Sequence, residues 1–222
     1  MVPARIGSQR LPKKNLRLLN GLPLVTHALR KCKECDLFDE VWLNSESQLF
    51  QEIASSENVL FHHRPLELGQ NYATSESYIS EFLGHHFCDL IIQVHSIAPL
   101  LTKKDLLAFT NFFINSDLDC LFSCINEQIE CSYKEKPINF NIYEKQNSQE
   151  LEPIQKITWS ITGWRRNAFL QAFQEGKCAT YAGEIGYFPI NRLAAHIIKT
   201  EEDLRIAEAL YPLISETEMN AK

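Results

Sequence analysis

The sequence predicts an α/β protein with a doubly wound, mostly parallel sheet. Three observations carry that expectation. Segments of helical and strand-like periodicity alternate along the 222 residues. Asp89-Leu90-Ile91-Ile92-Gln93-Val94 is an apolar run bounded by turn residues, the pattern of a central strand covered on both faces. Hydrophobic residues make up 45% of the chain, enough for a sizeable core.

The elements follow in order. Met1-Val2-Pro3 reads as the end of a very short first strand that runs into a loop. Pro23 to Lys33 has helical spacing, Glu40 to Asn44 is a short buried strand, and Gln48 to Ser55 is a helix. Asn58 to His62 is strand-like, and Ser75 to Leu83 is helical. After the central strand come a helix over Lys103 to Asn115 and a strand over Cys120 to Ile125. The polar stretch from Gln128 to Glu152 breaks the rhythm and reads as an inserted β-hairpin or arm. Ile157 to Ile161 is a further strand, Asn167 to Glu175 a helix, Glu184 to Pro189 a last strand and Glu201 to Leu210 a closing helix. One domain over 1–222 is expected, with the arm at about 128–166.

Charge is distributed unevenly. The first thirty-three residues hold eight cations and no carboxylate, although the chain's net charge is -6. Inside this stretch, Val2 to Asn15 reads as a strand end followed by a loop of small residues and cations. Backbone N–H groups near Gly7 and Ser8 can cradle phosphate oxygens while Arg5, Arg10 and Lys14 neutralise them. A polyphosphate is the natural ligand; charge alone equally admits a solvated basic loop.

No apolar run approaches the ~20 residues of a membrane helix, and no charged-then-apolar leader is seen. The seven cysteines lie in apolar contexts, which suggests reduced thiols in a cytoplasm. Cys32-x-x-Cys35 has no second pair and no histidines at ligand spacing, so it reads as the end of the first helix rather than a zinc site.

Ala4-Arg5-x-Gly7-Ser8-x-Arg10-x-Pro12-x-Lys14-Asn15, followed by Asn20-Gly21-x-Pro23-Leu24, closely resembles the opening of the CMP-sialic acid synthetases. These are the acylneuraminate cytidylyltransferases, with relatives that activate legionaminic, pseudaminic and 3-deoxy-octulosonic acids. Arg64-Pro65-x-Glu67-Leu68 matches a second family motif. The resemblance implies a nucleotide-diphospho-sugar transferase-like fold. It also implies a nucleotide site made of Ala4, Arg5, Gly7, Ser8, Arg10, Lys14, Asn15, Arg64 and His95, with Arg5 and Lys14 as the catalytic cations. For Arg64, a surface ion pair is the plainer reading.

Several positions depart from the family. Gln9 replaces the usual lysine of the first loop. Glu46 stands where a Ser-Thr-Asp turn has its aspartate. Gly69-Gln70-Asn71, then Ser75 and Ser77, run where two aspartates are usual. His95 takes the place of a glutamine and Leu101 that of an arginine; a ligand contact and a buried structural histidine are both open for His95. The family's Asp-Ile-Asp-Thr before the final helix reads Ile197-Ile198-Lys199-Thr200 here, so both carboxylates that resemble magnesium ligands are gone. In the arm, Gln149-Glu150-Leu151-Glu152-Pro153 keeps the family outline, with Ser148 in place of an arginine. Arg165, beside Arg166, is the nearest replacement to hold a sugar carboxylate, unless the two are a helix-start charge pair.

The resemblance implies transfer of CMP from CTP to a sialic-acid-type nonulosonic or related sugar acid, with release of pyrophosphate, in the synthesis of surface polysaccharides. Magnesium is expected to be held by the nucleotide's phosphates. The partners expected are CTP, a sugar acid and a second copy of the chain, with no nucleic acid and no membrane. Trp159 and Trp164 are candidate anchors of that homodimer or ordinary core residues. A paralogue that binds nucleotide without efficient turnover is the alternative.

Overall fold

The computed structural model describes residues 1–219, with side chains through Ile214. The expected domain reached 222, and residues 220–222 lie outside the described residues. The chain opens with β1 (Val2–Pro3) and, beyond a loop, the hairpin of β2 (Leu18–Leu19) and β3 (Leu22–Pro23). Asn20 and Gly21 turn this hairpin with φ of 47° and 77°, the left-handed pair that a two-residue hairpin needs. There follow α1 (Leu24–Glu34), β4 (Trp42–Ser45), α2 (Leu49–Ser56), β5 (Leu60–His63), α3 (Ser75–His85), β6 (Leu90–Val94), α4 (Lys103–Ile114) and β7 (Cys120–Glu127). The small hairpin β8 (Ser132–Tyr133) and β9 (Lys136–Pro137) precedes β10 (Ile154–Arg165), α5 (Arg166–Gln174), β11 (Ile185–Pro189) and α6 (Glu201–Met219).

Strands β5, β4 and β1 pair side by side, all parallel. A second set runs β6, β10, β7, β11. Met1 joins the two: its amino group donates to the Ile92 carbonyl at 2.7 Å and its carbonyl accepts from the Val94 N–H at 3.0 Å. One sheet results, in the order β5-β4-β1-β6-β10-β7-β11. Only β10 opposes the common direction, being antiparallel to both neighbours.

Helices cover both faces because each has an apolar stripe. On one face α1, α2 and α4 bury Val25, Leu29, Phe50, Phe109 and Phe113; on the other α3 and α5 bury Ile79, Phe82 and Phe169 against Trp164. Caps mark the ends: Thr102 and Asp105 form a reciprocal capping box at the start of α4. Cys32 and Cys35 lie buried at the end of α1 as free thiols.

The segment expected as an arm over 128–166 contains β10, twelve residues long and inside the sheet. What stands outside the sheet is 128–153. Trp164 is a core residue, 2% exposed, with its indole N–H on the Thr180 carbonyl. Register shifts along β10 between Ile157 and Thr162, where Trp159 takes φ of 58°. The buried Ser123 hydroxyl accepts the Ser160 and Ile161 N–H groups there, satisfying the ladder positions that the bulge leaves open.

Candidate functional site

A cleft of about 350 Å³ opens at the carboxyl ends of β1, β4, β5 and β6, where open α/β sheets bind ligands. It is lined by Ala4, Arg5, Ser8, Arg10, Lys14 and Asn15 of the first loop, together with Arg64, His95 and Lys199. Gly7 belongs to the same loop, and a Cβ there would meet nothing within 4 Å. Eight of the nine nucleotide-site positions named above thus line the cleft, and Gly7 does not.

The loop's own side chains tie it to itself and to neighbouring elements. Asn15, buried, donates to the Arg5 carbonyl at 2.8 Å and accepts the Ser96 hydroxyl at 2.6 Å, so the loop is tied to itself and to the end of β6. Arg5 donates to the Asn71 side-chain carbonyl at 3.0 Å. The Lys14 ammonium donates to the Ile198 carbonyl at 3.1 Å, linking the loop to the segment before α6. Asp203 caps that segment, accepting the Lys199 and Thr200 N–H groups.

Beneath the loop, Arg64 is 3% exposed. It is not a surface pair: its guanidinium donates to Glu46 at 2.9 Å, to the Asn44 side chain at 3.2 Å and to the Ala4 carbonyl at 3.2 Å. It also lies 4.9 Å over the Tyr78 ring. Glu46 Oε1 accepts the Ile6 N–H at 2.8 Å. Burial pulls the Arg64 pKa down and the Glu46 charge offsets that pull.

His95 lines the cleft at the end of β6. Tyr78 donates to Gln93 Oε1 at 3.3 Å, which leaves the Gln93 amide to donate to His95 Nε2 at 2.6 Å and places the neutral ring's proton on Nδ1. Burial, then the nearby Lys14 charge, lowers the His95 pKa to about 4; burial raises that of Tyr78 to about 12. Lys14 is itself lowered, first by burial and then by the like charges of Arg10, Arg5 and Lys199. This crowding of cations is relieved by an anion.

Two expected substrate residues lie elsewhere. Arg165 donates to the Leu118 and Ser116 carbonyls and pairs in register with Leu90, at the amino end of β6. Because β10 runs antiparallel, its last residue reaches the edge of the sheet opposite the cleft, so Arg165 does not line it. Gln149 is exposed in a turn of the 128–153 segment, where its carbonyl accepts the Gln128 amide. Tyr78, Gln93, Ser96 and Asn71 were not among the site residues expected from sequence. Asn71, Gln93 and Ser96 lie in segments that align with the family, and Tyr78 does not.

A protein-held magnesium ion does not fit these residues. No carboxylate lines the cleft. Glu46, the nearest in its network, has both oxygens engaged by Ile6 and Arg64. Among the described residues no cluster of three His, Cys, Asp or Glu suited to a metal occurs.

A mostly parallel sheet with cations gathered at its carboxyl edge defines an α/β protein whose cleft suits an anionic ligand. The family model for cytidylyltransferases matches residues 1–189, and the chain belongs to that family. It is 27% identical over 126 residues to N-acylneuraminate cytidylyltransferase A of Danio rerio, covering 56% of this chain and 29% of the relative. It is 28% identical over 155 residues to pseudaminic acid cytidylyltransferase of Campylobacter jejuni, covering 67% and 64%. The chain matches less than a third of the length of the Danio rerio and Streptococcus agalactiae relatives. The fold superposes on CMP:2-keto-3-deoxy-manno-octonic acid synthetase complexed with CTP, with a TM-score of 0.71, 15% identity and coverage of 96% and 97%. It also superposes on 4-diphosphocytidyl-2C-methyl-D-erythritol synthase from Anaerococcus prevotii, with a TM-score of 0.69, 10% identity and coverage of 95% of each chain.

Proposed function

We propose that this protein transfers CMP from CTP to a sialic-acid-type or related sugar acid and releases pyrophosphate. The observation that carries the reading is the cleft itself: Arg5, Arg10, Lys14 and Lys199 converge on it without a lining carboxylate. In this reading the phosphates lie against the first loop, and Arg5 and Lys14 neutralise charge as the α-phosphate is attacked by a sugar hydroxyl. Rate enhancement comes from positioning and from fixed charge, so no nucleophilic side chain is needed. Ser8 donates to a phosphate oxygen. His95 is held neutral and donates from Nδ1. A magnesium ion that enters does so on the phosphates, since no lining residue offers it a carboxylate.

The chain acts as a homodimer in this reading, with the 128–153 segment and Gln149 reaching the partner's cleft. Support comes from exposed apolar side chains on that segment, Ile129, Tyr133, Ile138, Ile142 and Tyr143. Light scattering that shows only a ~25 kDa species at micromolar concentration would remove the dimer. The setting is surface-polysaccharide synthesis in a reducing cytoplasm, with which the seven free cysteines agree. No helix among the described residues is long and apolar enough to cross a membrane.

The decisive assay is pyrophosphate release with CTP and a panel of sugar acids. Turnover with one of them is the expected result. CTP binding without turnover on any would leave a nucleotide-binding paralogue.

A further inference from the structure

We propose that the cleft takes its nucleoside triphosphate free of magnesium, with Lys199 and Lys14 neutralising the phosphates where a divalent cation would otherwise do so. This rests on the reading of the cleft as a nucleotide site and concerns the ionic form that it selects.

The argument starts from the donor set. A divalent ion bound at a phosphotransfer site is normally steadied by one or two protein carboxylates together with the phosphates. Here the lining holds Arg5, Arg10, Lys14 and Lys199, and no acid. An ion arriving on the phosphates gains no protein carboxylate, and it meets four positive charges that no ion pair screens. Among the described residues, none of the four has a carboxylate within ion-pair distance, the pairs of this region being Arg17 with Glu201 and Arg64 with Glu46.

Position strengthens the case. Lys14 donates to the carbonyl of Ile198, the residue before Lys199, so the two lysines share one wall of the cleft. The backbone of that wall is fixed by the Ile198 N–H on the Ile97 carbonyl and by Asp203 capping Lys199 and Thr200. Lys199 is therefore held by its main chain while its exposed side chain is free to meet a phosphate. Burial first, and then the crowding of Arg10, Arg5 and Lys199, lowers the pKa of Lys14. A metal-free polyanion relieves that crowding fully, and one partly neutralised by magnesium relieves it less.

The test is calorimetric titration with CTP, once in EDTA and once in excess magnesium chloride, on the wild-type protein and on Lys199→Asp and Lys199→Gln. The Lys199 side chain is exposed, and thermal denaturation checks that both variants are folded. Wild type is expected to bind about tenfold more tightly in EDTA, a preference of roughly 1.4 kcal/mol. Lys199→Gln should lose most of that preference, and Lys199→Asp should reverse it. Wild-type binding that requires magnesium, or variants that keep the wild-type preference, would overturn the inference while leaving the nucleotide reading intact. No CTP binding under either condition would remove the nucleotide reading, and this inference with it.

Discussion

Arg64 and Glu46 lie 2.9 Å apart beneath the first loop, each side chain 3% exposed, and Glu46 also receives the Ile6 amide. The pair therefore sets where the loop leaves β1. Removing one member of a buried pair strands the other charge, at a cost of about 3–5 kcal/mol. Glu46→Gln is expected to lower the melting temperature by roughly 6–20 °C, given 2–4 °C per kcal/mol in a domain of this size. An unchanged melting curve would show that the pair is not a support of the loop.

Gly69 is required by space and not by backbone strain. A Cβ there would come 2.4 Å from Glu46 Cγ and Cδ. Gly69→Ala should push Glu46 off Arg64, with a loss of about 1–3 kcal/mol in stability. Gly84→Ala, where a Cβ meets nothing within 4 Å, is the control and should leave CTP affinity unchanged. Denaturant titration and calorimetry on both variants check the contrast.

Arg5 and Lys14 are the loop cations with fixed side chains, held by Asn71 and by the Ile198 carbonyl. Losing one charge-assisted phosphate contact costs about 1.5–3 kcal/mol, or roughly ten- to hundredfold in affinity. Arg5→Ala and Lys14→Ala should each weaken CTP by that factor. Arg30→Ala, which breaks a surface pair with Glu57, should not. Equal affinity in all three would argue against the loop as the phosphate site.

His95 gives the protein an acid-side slope. Its folded pKa, about 4, lies below the ordinary 6.5, so between these values the unfolded chain takes up a proton that the folded chain refuses. Stability from this residue is present above pH 6.5 and is lost as pH falls toward 4. The loss is at most about 3 kcal/mol. His27 and His86, also lowered by burial, act in the same direction. The difference between wild type and His95→Gln in unfolding free energy should therefore change across that window and be flat above it. A difference independent of pH would place His95 outside this account.

Much of the sheet was legible because parallel strands buried on both faces are short apolar runs, as at Leu90 to Val94 and Cys120 to Ile125. β10 was read as five residues where it has twelve. Its first half carries exposed Gln155 and Lys156, and its ladder is broken at Trp159, so the run lacks a continuous apolar signal. The first loop was readable from its cations and small residues. Arg165 was misplaced for a physical reason: charge shows in a sequence, but strand direction does not, and the antiparallel course of β10 carries its end away from the cleft. Tyr78 was missed because one tyrosine on an amphipathic helix looks like core until the sheet end beneath it is known. Its contacts to Arg64 and Gln93 come from residues distant in sequence.

The cleft is a local positive field on a protein whose net charge is -6. A diffusing polyanion is repelled by most of the surface and drawn to one opening, so encounters are funnelled before any contact forms. Such guidance reaches only about a Debye length, roughly 10 Å at 0.1 M salt and 3 Å at 1 M. Capture should therefore be fast in dilute buffer and fall steeply as ions are added. Release is governed by short contacts inside the cleft and should change far less. The positive loop thus acts on how often the protein finds its ligand as much as on how firmly it holds it.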